Sequence, residues 1–125
     1  MQNHNSNFKI DFYKRLIKFS ISVIYFCNDI RKDRNLWSVA DQLIRSATSI
    51  GANIIEAKAA SSKLDFLKYF QIALKSANET KYWLIIVKET CPNLLQKADQ
   101  ILKEAEEITK IISSAILTMK GKKKL

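Results

Sequence analysis

The sequence predicts an all-α fold: a single domain built as an antiparallel up-down-up-down four-helix bundle. Only two glycines and one proline occur among 125 residues, too few for the tight turns of a β-sandwich or barrel. The apolar residues make up 47% of the chain and recur at alternating intervals of three and four. This spacing places them on one face of a helix, and no comparable stretch alternates with a period of two.

The first two predicted helices cover about 8–30 and 35–60. The core-facing stripe of the first consists of Phe12, Leu16, Phe19, Val23, Phe26 and Ile30. Four isoleucines are expected to widen this stripe: Ile10, Ile17, Ile21 and Ile24. In the second predicted helix, the same spacing runs from Leu36 to Ala57.

The last two predicted helices cover about 63–90 and 93–119. Ser61 or Ser62 can cap the third helix, which has Asp65 in its first turn. Its expected core residues are Leu67, Phe70, Leu74, Ala77, Leu84 and Val87, with Leu64, Ala73 and Ile85 beside them. Pro92 lacks an N–H and suits the start of the fourth helix. Short connections between successive helices favour antiparallel neighbours, which predicts the bundle.

The bundle is expected to span residues 1–119, followed by a basic, disordered tail over 120–125. Two cysteines are too few for a disulfide scaffold, and reduced thiols are typical of a cytoplasmic protein. The apolar run after Lys18 is shorter than the ~18–20 residues that a membrane span requires. We therefore expect a cytoplasmic protein without membrane association.

Residue sets typical of enzyme active sites are missing from the sequence. The single histidine, His4, is not enough for a histidine-based metal site or a paired nuclease motif. The two glycines stand apart, so they form no phosphate-binding loop, and no CxxC motif occurs. We predict that the protein is not an enzyme, has no catalytic residues and needs neither a cofactor nor a metal.

Rows of basic residues are the candidate functional sites in a chain whose formal net charge is +9. The candidate nucleic-acid-binding residues are Lys14, Arg15, Lys18, Arg31, Lys32, Arg34, Lys68, Lys75, Lys81 and Lys88. Such rows can neutralise phosphates and release counterions, which gives salt-sensitive binding with little sequence preference. The alternative is that each row is an ordinary solvated helix face. Likewise, Trp37, Tyr82 and Trp83 are either packing anchors or base-stacking platforms.

Two stretches carry a family resemblance. Residues 42–56 read QLIRSATSIGANIIE and residues 65–79 read DFLKYFQIALKSANE. They resemble the four-helix-bundle proteins encoded by intervening sequences in bacterial 23S ribosomal RNA genes. That family typically shows Q-L-R-R-A-x-x-S-I-P-A-N-I-A-E-G and then E-F-x-x-F-L-x-I-A-x-G-S-x-x-E. Gly51 replaces the family's proline, and we expect a bend in the helix there.

The resemblance implies a four-helix bundle that assembles as a homopentameric barrel. It also implies relatives that serve as accessory proteins of diversity-generating retroelements, which bind nucleic acid and a reverse transcriptase through a basic surface. The expected function is therefore binding of RNA or RNA/DNA, or of a nucleic-acid enzyme such as a reverse transcriptase. The alternative is a protein–protein scaffold or an antitoxin-like bundle. The subgroup within the family stays open.

Four polar residues of these stretches form a predicted network: Arg45, Asn53, Glu56 and Glu79. If the chain folds back near residue 61, Arg45 lies level with Glu79, and we predict an ion pair between them. Asn53 and Glu56 are expected to form hydrogen bonds near the turn between the second and third helices. These groups either fix the helix register or a subunit contact, or they bind a ligand directly.

Overall fold

A computed structural model of the chain describes residues 4–121, with side chains from residue 7 onward. The regular structure in this range is entirely helical. Its long elements are α1 (His4–Ile30), α2 (Trp37–Ala57), α3 (Lys63–Thr90) and α4 (Leu95–Met119). Short 3-10 helices, Arg34–Leu36 and Pro92–Leu94, lead into α2 and α4. These four helices confirm the predicted all-α class and are consistent with a four-helix bundle.

The helix ends follow local chemistry. The Ser62 hydroxyl accepts a hydrogen bond from the Asp65 amide at 3.0 Å, so the predicted cap of α3 is confirmed. The Asp33 carboxylate accepts from the Asn35 amide at 3.0 Å, which begins the 3-10 turn and delays α2 to Trp37. α1 begins at His4 rather than at the predicted residue 8, since neither glycine nor proline opposes helix in that stretch. Of the predicted tail, residues 122–125 lie outside the described residues.

Contacts between successive helices place distant residues side by side. Across the α1–α2 contact, the Cys27 thiol lies 3.5 Å from the Ala40 carbonyl oxygen, and Leu16 lies beside Gly51. Across the α2–α3 contact, Ser46 bonds to Thr80 and Ser49 bonds to Ser76. In both cases residue numbers rise along one helix as they fall along the other. α4 packs mainly on α3 and meets α1 over a smaller contact.

The predicted core stripe of α1, from Phe12 to Ile30, is buried as expected. The expectation that four isoleucines widen it is wrong. Ile10, Ile17, Ile21 and Ile24 are between 42% and 57% exposed. Each residue advances the helix by about 100°, so these side chains form a second stripe, which we call the isoleucine face, turned away from the core.

The core stripe of α3 is shifted from the predicted one. Its fully buried positions are Ala73, Ala77, Thr80, Leu84 and Val87. Three expected core residues are only half-buried and pack on the core from the side: Leu67, Phe70 and Leu74. Leu64 and Ile85 are 77% and 46% exposed, because they lie on the side of α3 opposite its contacts with the rest of the molecule. Three of the five buried positions of α3 are therefore small residues: Ala73, Ala77 and Thr80.

Gly51 allows α1 and α2 to approach closely. A Cβ atom at this position would lie 3.4 Å from the Leu16 Cβ. α2 continues as α-helix through this residue. The glycine therefore marks a helix–helix contact, and the helical hydrogen bonding is not interrupted where we expected a bend.

Cys27 and Cys91 are free, buried thiols. Among the described helices, none combines the length and the hydrophobicity that crossing a membrane would require.

Candidate nucleic-acid interface

The ten candidate basic residues do not form one continuous surface. They divide into four groups: a groove between α1 and α4, an outer row on α3, a second row beside α4, and the turn between α1 and α2. The groups differ in how many of their cations are already paired with carboxylates.

The α1–α4 groove has a volume of about 550 Å³ and is lined by Lys14, Arg15, Lys18 and Glu104, among others. Arg15 forms a two-pronged ion pair with Glu104, with both N–O distances at 2.7 Å. The hydrogen bond to Glu104 raises the pKa of Arg15. Arg15 therefore connects α1 to α4, whereas the exposed Lys14 and Lys18 make no ion pair with any described residue.

Lys68 and Lys75 form the outer row of α3. Both are exposed, and neither pairs with a carboxylate of the described chain. They lie seven residues apart, hence on one face, opposite the buried Ala73 and Ala77. These lysines are available for an external anion.

Lys81 and Lys88 lie on a different face of α3, because they are one position out of step with the outer row. Lys88 Nζ lies 3.0 Å from Asp99 Oδ1 on α4. This hydrogen bond lowers the pKa of Asp99. Lys81 is half-buried and makes no ion pair within the described residues. Lys88 thus connects two helices, and only Lys81 of this row stays uncommitted.

The turn between α1 and α2 holds its basic residues among acidic ones. Arg31 pairs with Asp41 at 2.8 Å, and Lys32 lies 3.7 Å from Asp29. The Arg34 guanidinium lies 5.3 Å from the centre of the Trp37 ring, and Asp33 caps the following turn. Arg31 and Lys32 are therefore paired with carboxylates, whereas Arg34 lies over Trp37, which weakens this group as an anion site.

The predicted ion pair between Arg45 and Glu79 is confirmed, with Nη2 and Oε2 2.9 Å apart. Gln42 accepts a further bond from Arg45 at 2.6 Å, and the Trp83 indole donates to Glu79 at 3.1 Å. The Arg45 side chain is 63% exposed. This cluster connects α2 to α3 at the protein surface.

Asn53 and Glu56 behave differently from each other. Asn53 donates to the Ser49 carbonyl at 2.8 Å and to its hydroxyl at 3.0 Å, so it forms hydrogen bonds, but within α2 and one turn back from the predicted α2–α3 connection. The prediction for Glu56 is wrong, since its side chain makes no hydrogen bond or ion pair with the described residues. The last turn of α2 buries Ile54 and Ala57 and leaves Glu56 exposed to solvent.

A partly buried hydroxyl ladder between α2 and α3 was not predicted from the sequence. The Thr80 hydroxyl donates to Ser46 at 2.9 Å, where both residues are buried. Ser76 donates to Ser49 at 3.0 Å one turn away. The available signal was the run of small polar residues three or four apart within each apolar pattern. This ladder fixes the register of the two helices.

The three aromatic residues have separate surroundings. Trp83 packs against the core. The Tyr82 ring meets the Trp83 ring edge-on, with the two ring centroids 5.0 Å apart. Trp37 is 49% exposed, and its indole donates to the Arg31 carbonyl at 2.8 Å. Trp83 is therefore a packing anchor, and Trp37 is held in a fixed orientation at the turn.

Residues 4–121 thus define a small helical-bundle protein with exposed lysine rows. Within them, no group of three or more His, Cys, Asp or Glu side chains is arranged to hold a metal ion. The family model of the 23S rRNA-intervening sequence proteins matches residues 9–114, and the chain belongs to this family.

A solved structure with the same fold supports this assignment. It is a protein of unknown function from the S23 ribosomal protein family of Bacteroides thetaiotaomicron VPI-5482. The two chains are 33% identical and superpose with a TM-score of 0.78, over 84% of this chain and 97% of the other. No curated protein matches this chain.

Proposed function

We propose that the protein is a non-enzymatic, oligomeric helical bundle of the cytoplasm that binds nucleic acid through a basic surface. Its target is RNA or RNA/DNA, alone or together with a nucleic-acid enzyme such as a reverse transcriptase. The observation that carries this proposal is the set of exposed lysines that make no ion pair with a described residue: Lys14, Lys18, Lys68 and Lys75. Cations that are free of carboxylates can neutralise phosphates without breaking an existing pair.

The proposal includes an antiparallel up-down-up-down arrangement of the helices. Support comes from the opposed numbering of the contacts between α1 and α2 and between α2 and α3. The ion pairs of α4 with Lys88 on α3 and with Arg15 on α1 add the remaining neighbours.

The proposal also includes assembly into a homo-oligomer, a pentamer by resemblance to the family. The isoleucine face of α1 supports it, because a contiguous exposed apolar surface is typical of a contact site. Beside this face, a shallow groove of about 220 Å³ lies between α1 and α2 and includes Ile17, Ile21 and Ile55. Static light scattering tests the assembly, and a mass equal to the 14.4-kDa chain would contradict it.

Filter binding with a single-stranded RNA, repeated across salt concentrations, tests the nucleic-acid proposal. We expect a dissociation constant in the micromolar range or tighter at about 50 mM salt, weakening steeply as salt rises. Absence of binding at that salt concentration would overturn the proposal.

A second candidate function, a protein–protein scaffold or antitoxin-like bundle, is favoured by the isoleucine face. A pull-down after nuclease treatment separates the two functions. Retention of a protein partner by a chain that binds no RNA would favour the scaffold.

A further inference from the structure

The positive charge of the molecule is concentrated in one half of the bundle. Three contacts show which positions of neighbouring helices lie at the same height along the bundle axis: Leu16 with Gly51, Ser49 with Ser76, and Lys88 with Asp99. They divide the described chain at its middle into two halves. One half, with the start of α1, the α2–α3 connection and the end of α4, comprises 4–20, 48–76 and 111–121. The other, with the α1–α2 and α3–α4 connections, comprises 21–47 and 77–110.

The first half contains nine Lys and Arg residues but three Asp and Glu residues, a net charge of +6. We call it the basic half. The second half contains nine of each sign, and we call it the neutral half. The sequence adds three lysines after Gly121, at residues 122–124.

Ion pairing follows the same division. Of the eight ion pairs among the described residues, seven lie wholly within the neutral half. The eighth joins Arg15 of the basic half to Glu104. The other eight cations of the basic half make no ion pair with a described residue: Lys9, Lys14, Lys18, Lys58, Lys63, Lys68, Lys75 and Lys120. Lys58 instead lies 4.6 Å from the centre of the Tyr13 ring.

We propose that the basic half, including the α2–α3 connection, is the surface that contacts the phosphate backbone of nucleic acid. This inference rests on the proposed function and locates it. A phosphate approaching the basic half meets unpaired ammonium groups, so binding costs no internal ion pair. A phosphate approaching the neutral half meets as many carboxylates as cations, and the carboxylates repel it. The turn residues Arg31, Lys32 and Arg34 are accordingly excluded from the main contact surface.

Two triple variants with equal charge test this location. The first replaces three exposed, unpaired lysines of the basic half: Lys14→Gln, Lys63→Gln and Lys68→Gln. The matched control removes three charges from the neutral half: Lys32→Gln, Lys81→Gln and Lys103→Gln. Each is compared with the unsubstituted protein in filter binding to the same single-stranded RNA across salt, after circular dichroism has shown that all three fold alike.

The basic-half variant should lose at least about tenfold in affinity at about 100 mM salt, with a shallower salt dependence by about two units of log–log slope. The control should stay within about threefold, since its lysines belong to the half in which carboxylates equal the cations in number. Equal losses in both variants, or a larger loss in the control, would overturn the location and leave the proposed function intact. Failure of the unsubstituted protein to bind would overturn the proposed function itself and the location with it.

Discussion

At the residue scale, burial in the core changes the acidity of the Cys27 thiol. Cys27 is fully buried between α1 and α2, with its thiol directed at the Ala40 carbonyl. Burial raises the pKa of Cys27 to about 11. The folded protein therefore holds this group as a neutral thiol at pH values where an exposed cysteine would ionise.

This pKa shift predicts a loss of stability at alkaline pH. An unfolded chain releases the Cys27 proton near pH ~8.5, whereas the folded chain keeps it up to about pH 11. Between these values the unfolded state binds fewer protons, so the free energy of unfolding falls as pH rises, and below this window it is unaffected. Urea denaturation from pH 7.5 to 10.5 should show a steeper fall for the unsubstituted protein than for Cys27→Ala.

The matched control for this measurement is Cys91→Ala, which removes the other buried thiol and keeps Cys27. It should retain the pH dependence of the unsubstituted protein. The same alkaline slope in Cys27→Ala and in the unsubstituted chain would contradict the prediction.

Individual residue contacts could be predicted from the sequence where a short connection fixes which positions of two helices lie side by side. The pairing of Arg45 with Glu79 followed from counting residues on either side of one connection. The predicted hydrogen bond of Glu56 was wrong because the direction of a side chain in the last turn depends on which residues the neighbouring helix buries. The same limit applies to Ile17, since an apolar side chain beside a core stripe can face either the core or solvent.

Between the elements α2 and α3, two kinds of polar contact coexist. The Arg45–Glu79 pair is exposed on the surface, whereas the Ser46–Thr80 pair is buried. Exposed ions are well solvated before they pair, so their pairing gains little. The Ser46–Thr80 bond is out of reach of water and competes only with the backbone carbonyls of Leu43 and Ser76, so solvent does not weaken it.

A double-mutant cycle on Arg45→Ala and Glu79→Ala should therefore give a small coupling energy, about 0.2–1 kcal/mol. The comparison cycle, Ser46→Ala with Thr80→Val, should give a larger coupling, about 0.5–1.5 kcal/mol. Urea denaturation of seven proteins, the unsubstituted chain being shared by the two cycles, supplies both values. A coupling of several kcal/mol for the charged pair would show that the surface pair dominates the α2–α3 contact.

At the scale of elements, the periodicity of the sequence predicted all four helices, because long amphipathic stripes are strong signals. The helix ends were less predictable. Asp33 turned the chain into a 3-10 helix before α2, a local competition that apolar spacing does not report. In α3, the buried positions include the small residues Ala73, Ala77 and Thr80, and a search for large apolar side chains does not detect them.

For the whole molecule, the isoleucine face of α1 predicts how the proposed homo-oligomer responds to one added charge. Ile17→Lys should shift the light-scattering mass toward the monomer, because an ammonium group buried in an apolar contact must lose its hydration. Asn93→Lys adds the same charge on the exposed α3–α4 connection and should leave the mass unchanged. An unaltered mass for Ile17→Lys would place the subunit contact elsewhere.

The net charge was visible in the sequence, but its distribution was not. Sequence reasoning assigned the positive surface to the first three helices and the first turn. Only the folded contacts reveal that the turn residue Arg31 lies beside Asp41 and that Lys18 and Lys75 share the opposite half. The axial alignment of each helix with its neighbours decides which charges lie in the same half of the bundle. The composition of the sequence does not contain this alignment.

Separation of a basic half from a neutral half gives the molecule a permanent electric dipole along the bundle axis. In the field of a polyanion such a molecule experiences a torque before any contact forms. It turns so that the α2–α3 connection leads, and each encounter begins end-on. The opposite end, with its exposed Trp37, then points away from the polyanion.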